Sequence, residues 1–108
     1  MNINCKGRVS VPTPGTPVPL TTDSNLTANK LFFQVIPGLT GKTYVGTTGL
    51  NKATLGGVAR ILWPNASGGF SESFFIESQD GTNSIRLKDY VIDADVAGEG
   101  LLVTYWQE

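Results

Sequence analysis

The densest group of chemically capable side chains is acidic: Asp89, Asp93, Asp95 and Glu99 gather towards the C-terminal end. Strand alternation places Asp93 and Asp95 on one face. Paired carboxylates of that kind bind a hard cation or divide acid and base work in glycoside hydrolysis. The spacing fits no EF-hand loop, and acids beside a glycine-containing turn are ordinarily solvated, so solvated turn acids are the stronger reading. Gly56–Gly57 and Gly68–Gly69 have the residue type of a phosphate cradle but belong to no Walker or dinucleotide pattern, and read as loop tips. Trp63, Phe70, Phe74, Phe75 and Trp106 have the rings of a sugar-stacking platform, and core packing accounts for most of them equally well.

What is missing narrows the chemistry further. The chain has no His, so it lacks the commonest general base, the usual catalytic zinc sets and the Ser-His and Cys-His nucleophile pairs. The single Cys5 can form neither an internal disulfide nor a cysteine cluster, and is expected to be a small buried hydrophobe. Eight basic and nine acidic residues leave a net charge of −1. The cations Lys6, Arg8, Lys30, Lys42, Lys52, Arg60, Arg86 and Lys88 are dispersed, without the basic patch that nucleic acid or an anionic membrane calls for. No nucleophile and base pair stands out, so a non-enzymatic role without cofactor or metal is expected. The first residues, Met1 to Pro19, have no signal-type apolar core, which predicts a protein made in the cytoplasm and not exported by itself.

The elements that must position these residues are strands. At 108 residues the chain suits one domain, residues 1–108. Short β-like runs separated by Gly, Pro, Asn and Ser predict an all-β fold: a single-domain β-sandwich of about eight short antiparallel strands. Ile3 to Val11 reads as the first strand, with a bulge at Gly7. Pro12, Pro14, Pro17 and Pro19 then remove backbone donors, which restricts residues 12–19 to a turn followed by an edge segment or an extended arm. Lys30 to Ile36 is apolar on both faces, with Leu31, Phe33 and Val35 on one and Phe32 on the other, as in a central or interfacial strand. Lys42 to Gly46 and Ala59 to Trp63 follow as short strands, with Thr47 to Gly57 read as loop.

In Phe70 to Glu77, Phe70, Phe74 and Ile76 share one side and Phe75 lies on the other. Asp80–Gly81 suits a tight hairpin turn, across which Ile85 and Leu87 are expected to pair. Tyr90 to Ala94 and Leu101 to Gln107 read as a final pair of strands. Phe32, Phe75 and Trp106, on the second face of their strands, are the candidate contact residues for another subunit. Pro12, Pro14, Pro17 and Pro19 are candidates for strand addition to a partner's sheet edge.

Several segments, in order along the chain, carry a resemblance. Val9 and Val11 precede Gly15 Thr16 Pro17 Val18 Pro19 Leu20; Leu31 to Ile36 follows as an apolar strand; then comes Gly41 Lys42 Thr43 Tyr44 Val45 Gly46. Tyr90 Val91 Ile92 Asp93 Ala94 and Gly98 Glu99 Gly100 Leu101 Leu102 Val103 complete the set. Together these resemble a family of small structural proteins of tailed bacteriophages, the capsid decoration or cement proteins. Lys52 to Glu77 departs from the pattern. The resemblance implies a jelly-roll-like sandwich that binds the outside of the phage head, assembles there in the bacterial host cytoplasm, and clamps neighbouring major capsid proteins as a homodimer or homotrimer. It supplies no catalytic residue. The competing expectations are a tail, neck or head-fibre accessory protein, and a carbohydrate- or receptor-binding module of the virion.

Overall fold

Strict alternation in Lys30–Val35 makes it the centre of the molecule: Leu31, Phe33 and Val35 are buried, while Lys30, Phe32 and Gln34 are half-buried on the opposite face. The computed structural model describes residues 2–65 and 72–108. Its strands are β1 (Asn2–Ser10), β2 (Val18–Pro19), β3 (Thr27–Ala28), β4 (Lys30–Val35), β5 (Thr43–Asn51), β6 (Gly56–Leu62), β7 (Ser73–Glu77), β8 (Ile85–Arg86), β9 (Tyr90–Ala94) and β10 (Gly100–Gln107), with one 3-10 turn at Leu87–Asp89. Two four-stranded antiparallel sheets, β1-β10-β4-β7 and β2-β9-β5-β6, make the sandwich, and β3 and β8 form a minor pair. This all-β architecture is the expected one, and its strand order is consistent with the jelly-roll form.

Between the sheets lies one apolar cluster that includes Val9, Val11, Leu20, Leu31, Phe33, Val45, Leu62, Leu87, Ile92 and Leu101. The core draws on strands far apart in sequence, so the sheets are held by long-range packing rather than by hairpins alone. Burial of each large aliphatic or aromatic side chain contributes about 1.5–3 kcal/mol.

Several expectations change on contact with this topology. Thr47 to Gly57 is not a plain loop, because β5 and β6 run through it as a long hairpin. Tyr90 to Ala94 and Leu101 to Gln107 do not pair with each other, since β9 and β10 lie in opposite sheets. Ile85 does not pair across the Asp80–Gly81 turn: β8 joins β3, with Ile85 opposite Ala28. Asp80 still shapes its turn, accepting from the Thr82 amide at 3.2 Å and the Thr82 hydroxyl at 2.7 Å. Those bonds, the hydroxyl first, hold its carboxyl below the usual carboxylate range. Phe70 and the Gly68–Gly69 pair lie outside the described residues.

The bulge expected at Gly7 is present as a register shift between Cys5 and Gly7, with Gly7 at φ 84°. It has a consequence for both faces of β1. One extra residue inverts the alternation, so Ile3 and Cys5 face outward while Val9 enters the core. Cys5 is therefore exposed, not buried as its residue type suggests.

Candidate functional site

The carboxylates come first, because they had the types for chemistry. Asp93 and Asp95 do not share an exposed face: Asp93 is fully buried, and Asp95 is exposed just beyond β9. Asp93 Oδ1 accepts from the Gly15 amide at 3.1 Å and from the Ala94 amide at 2.8 Å. It thereby pins the turn at Thr13–Thr16, where the Thr16 amide donates to the Thr13 carbonyl and Gly15 takes φ 90°. Pro followed by Gly at the two central positions is the composition such a turn requires. Asp93 Oδ2 has no partner among the described residues.

Asp95 Oδ1 accepts from the Tyr44 hydroxyl at 3.1 Å and from Lys52 Nζ at 3.2 Å. Burial, then the Asp95 hydrogen bond, pushes the Tyr44 hydroxyl above its ordinary pKa. Glu99 Oε2 accepts from the Thr40 amide and hydroxyl, and Oε1 from the Gly41 amide at 2.9 Å. Burial opposes the charge on Glu99, but these donors and the Arg8 guanidinium outweigh it and hold the carboxyl below the usual range. Each of these three acids is thus bound to a particular piece of backbone or side chain. Among the described residues no group of three or more His, Cys, Asp or Glu is placed to hold a metal ion.

The aromatic residues do converge. Register puts Phe32 opposite Phe75 on β7 and opposite Thr104 on β10, and puts Trp106 opposite Ile3 on β1 and Lys30 on β4. Residues directly opposed across antiparallel strands share a face. Ile3, Cys5, Leu102, Trp106, Phe32 and Phe75 therefore lie together on the outer face of the β1-β10-β4-β7 sheet. Ile3 is 63% exposed, Phe75 54% and Leu102 37%; Phe32 and Trp106 are half-buried against each other, edge to face at 6.4 Å. Lys30 Nζ sits 4.8 Å from the centre of the Phe75 ring and 5.3 Å from that of Trp106, with Glu77 4.0 Å away. An apolar patch that spans all strands of a sheet and is rimmed by charge is the surface a monomer rarely leaves bare.

Trp63 and Phe74 do not join this face. Phe74 stacks on Phe33 and packs against the core, whereas Trp63 is exposed beneath Lys42, whose Nζ lies 5.0 Å from its ring centre. The prolines are elsewhere again. Val18–Pro19 pairs with β9 at the edge of the other sheet, and the Leu20 amide donates to the Tyr90 carbonyl at 3.1 Å. The segment thus leaves its outer side with Pro19, which has no N–H to offer. Pro12 follows the Ser10–Gly100 end of the β1–β10 pair, whereas Trp106 lies at its other end, roughly 20 Å along the strand. The two groups of candidate contact residues are separate surfaces.

Beside the aromatic face opens a cavity of about 320 Å³ lined by Asn29, Lys30, Glu77, Ser78, Gln79, Gly81 and Glu108. Sequence reading missed it, because it forms where the residue 78–81 turn meets the end of β10. No family model, no curated protein and no solved structure matches the chain.

Proposed function

We propose that this chain is a non-enzymatic virion structural protein, a decoration protein that seats the outer face of its β1-β10-β4-β7 sheet against the head of a tailed bacteriophage. Its partners are then the major capsid protein and further copies of itself. The observation that carries this reading is the in-register apolar face of Ile3, Leu102, Trp106, Phe32 and Phe75. The segments that resemble decoration proteins support the choice of partner.

Physically, the proposed work needs a rigid platform and a desolvated patch rather than a reacting group. Full burial of an exposed large apolar side chain contributes about 1.5–3 kcal/mol, most of it offset by the entropy lost on docking one small protein. Repetition over a shell changes that balance. Many such contacts, each bridging separate subunits, resist expansion together even though single contacts are weak.

The test is the copy number of the protein in particles made from the genome that encodes it, with imaging of the head surface. Copies comparable in number to the major capsid protein are expected. A handful at one vertex or on the tail would replace this reading by a neck, tail or head-fibre role. One observation favours a second reading, a carbohydrate-binding module: the polar cavity shares Lys30 with the exposed Phe75 ring. Saturable binding of a glycan, lost in Phe75→Ala, would move that reading to the front.

A further inference from the structure

A strand at the edge of a sheet presents unpaired backbone groups, and folded proteins guard such edges with short strands, proline, bulges or basic side chains. Among the described residues, three of the four edges of this sandwich are guarded in that way. β1 is bulged at Gly7 and carries Lys6 and Arg8; β2 has two residues, one of them Pro19; β6 slips register at Ala59, beside Arg60. β7 is the fourth edge. Ser73–Glu77 has no proline, no basic residue and an unbroken register against β4, and its one charge, Glu77, lies at the end.

The two ends of β7 show which groups that edge offers. The Val35 amide donates to the Glu72 carbonyl and the Ser78 amide to the Asn29 carbonyl, each at 2.9 Å. Glu72, Phe74, Ile76 and Ser78 are therefore directed at β4, and by alternation Ser73, Phe75 and Glu77 turn three N–H and three C=O groups to the open side. Among the described residues nothing meets these groups. The side chains are incompletely covered too: Phe75 is exposed on the outer face, and Phe74 and Ile76, although directed at the core, are half-buried.

The strand reads Ser-Phe-Phe-Ile-Glu, symmetric in polarity about Phe75. A second β7 set antiparallel, with Phe75 on a twofold axis, brings Phe75 opposite Phe75, Phe74 opposite Ile76 and Ser73 opposite Glu77. Every outward N–H and C=O of both strands is then paired, and no like charges meet. A slip of two residues leaves Ser73 or Glu77 without a partner in the other strand, and a slip of one sets core-directed side chains against outward ones.

We propose that β7 is a self-pairing edge, through which two copies of this chain join about Phe75 into one eight-stranded sheet closed by a twofold axis. The occupant is a copy rather than a foreign strand, because polarity, hydrogen-bond phase and charge all return to themselves under that rotation. The pairing extends the proposed function without resting on it, since it forms in free solution. It doubles the aromatic face, placing Phe32, Phe75 and Trp106 of both copies on one sheet, and so gives the dimer the two attachments that clamping requires. Stacking two aromatic faces is the competing self-contact; it would cover that face and leave the β7 edge bare. One strand pair is a small and weak interface, so unfolding measured in dilute solution reads the monomer.

The experiment is sedimentation equilibrium of the full chain from about 1 μM to about 1 mM at low salt, for wild type, Ser73→Glu, Ser73→Lys and Leu102→Glu. Wild type should pass reversibly from monomer to dimer. Ser73→Glu opposes Glu77 of the partner subunit twice per dimer and should weaken association about threefold or more, whereas Ser73→Lys should strengthen it by a similar factor. Both differences should shrink at about 1 M salt. Ser73 is exposed, so both variants should unfold within about 3 °C of wild type in dilute solution. Leu102→Glu lies two strands from the edge and should dimerise as wild type does. A monomer throughout the range would overturn the pairing and leave the edge to a strand of another protein. A dimer indifferent to the charge at Ser73 would overturn it as well, and loss of that dimer in Leu102→Glu would assign the contact to stacked faces. No particle enters the measurement, so the pairing can fail while the shell reading stands, and copy number in particles can overturn the shell reading while the pairing stands.

Discussion

The two sheets turn very different outer faces to their surroundings. On the β2-β9-β5-β6 sheet, Tyr44, Leu50 and Val91 are buried together, with Val58 and Ile61 packed against them. That small second core exists because β5 is interrupted. Gly46 is opposite Val58 and the next pair is Asn51 with Gly56, so residues 47–50 bulge, with Gly49 at φ 94°. The bulge returns Leu50 over Gly46, where its Cδ1 lies 3.0 Å from the position of an added Cβ, and a Cβ there would also overlap the Gly57 carbonyl. Among the described residues the β1-β10-β4-β7 sheet has no such cover, and its Ile3, Phe75 and Leu102 are exposed. One face is covered by the chain itself, and among the described residues the other is left open.

The contrast predicts opposite behaviour on substitution. The largest effect belongs to Gly46→Val, which should cost about 3 kcal/mol or more in denaturant unfolding, since the obstruction is backbone and cannot rotate away. Leu50→Ala on the covered face should cost about 2–4 kcal/mol, combining lost burial with a cavity. A cost near zero would mean that the hairpin cover is not part of the stable fold.

On the bare face the same chemistry should scarcely register in the free protein. Phe75→Ala and Ile3→Ala should change unfolding free energy by about 0.5 kcal/mol or less, as surface substitutions do. Destabilisation equal to that of Leu50→Ala would erase the distinction between the faces.

Glu99 supplies the smallest and most specific test. Its folded pKa lies below the ordinary carboxylate value, so between the two values the unfolded state binds more protons, and stability rises with pH there. The contribution is complete above the unfolded value, about 4.3, and is lost as pH falls through the folded value. Glu99→Gln should flatten that acid limb while leaving the profile near neutrality parallel to wild type. An unchanged acid limb would detach Glu99 from the Thr40–Gly41 turn.

Where the sequence was legible, the signal was local. Leu31, Phe33 and Val35 declare a core strand by alternation, Gly7 marks a bulge, and Phe32, Phe75 and Trp106 fall on one face by the same parity. What was hidden depends on distant partners. Thr47 to Gly57 looks like loop because its β-propensity is low, and only packing of Leu50 against Tyr44 and Val91 makes a hairpin cover of it. Asp93 looks solvated, yet its partner Gly15 is 78 positions away. Cys5 looks buried until the bulge turns it outward.

The central claim is that the bare face is the docking face, and one comparison tests it most directly. Phe75→Asp places a charge on the β7 edge of that face, on a side chain that points away from the core. Particles assembled with Phe75→Asp should carry few or no copies, although the variant unfolds at the wild-type temperature when free. Particles that retain it at the wild-type copy number would contradict the account.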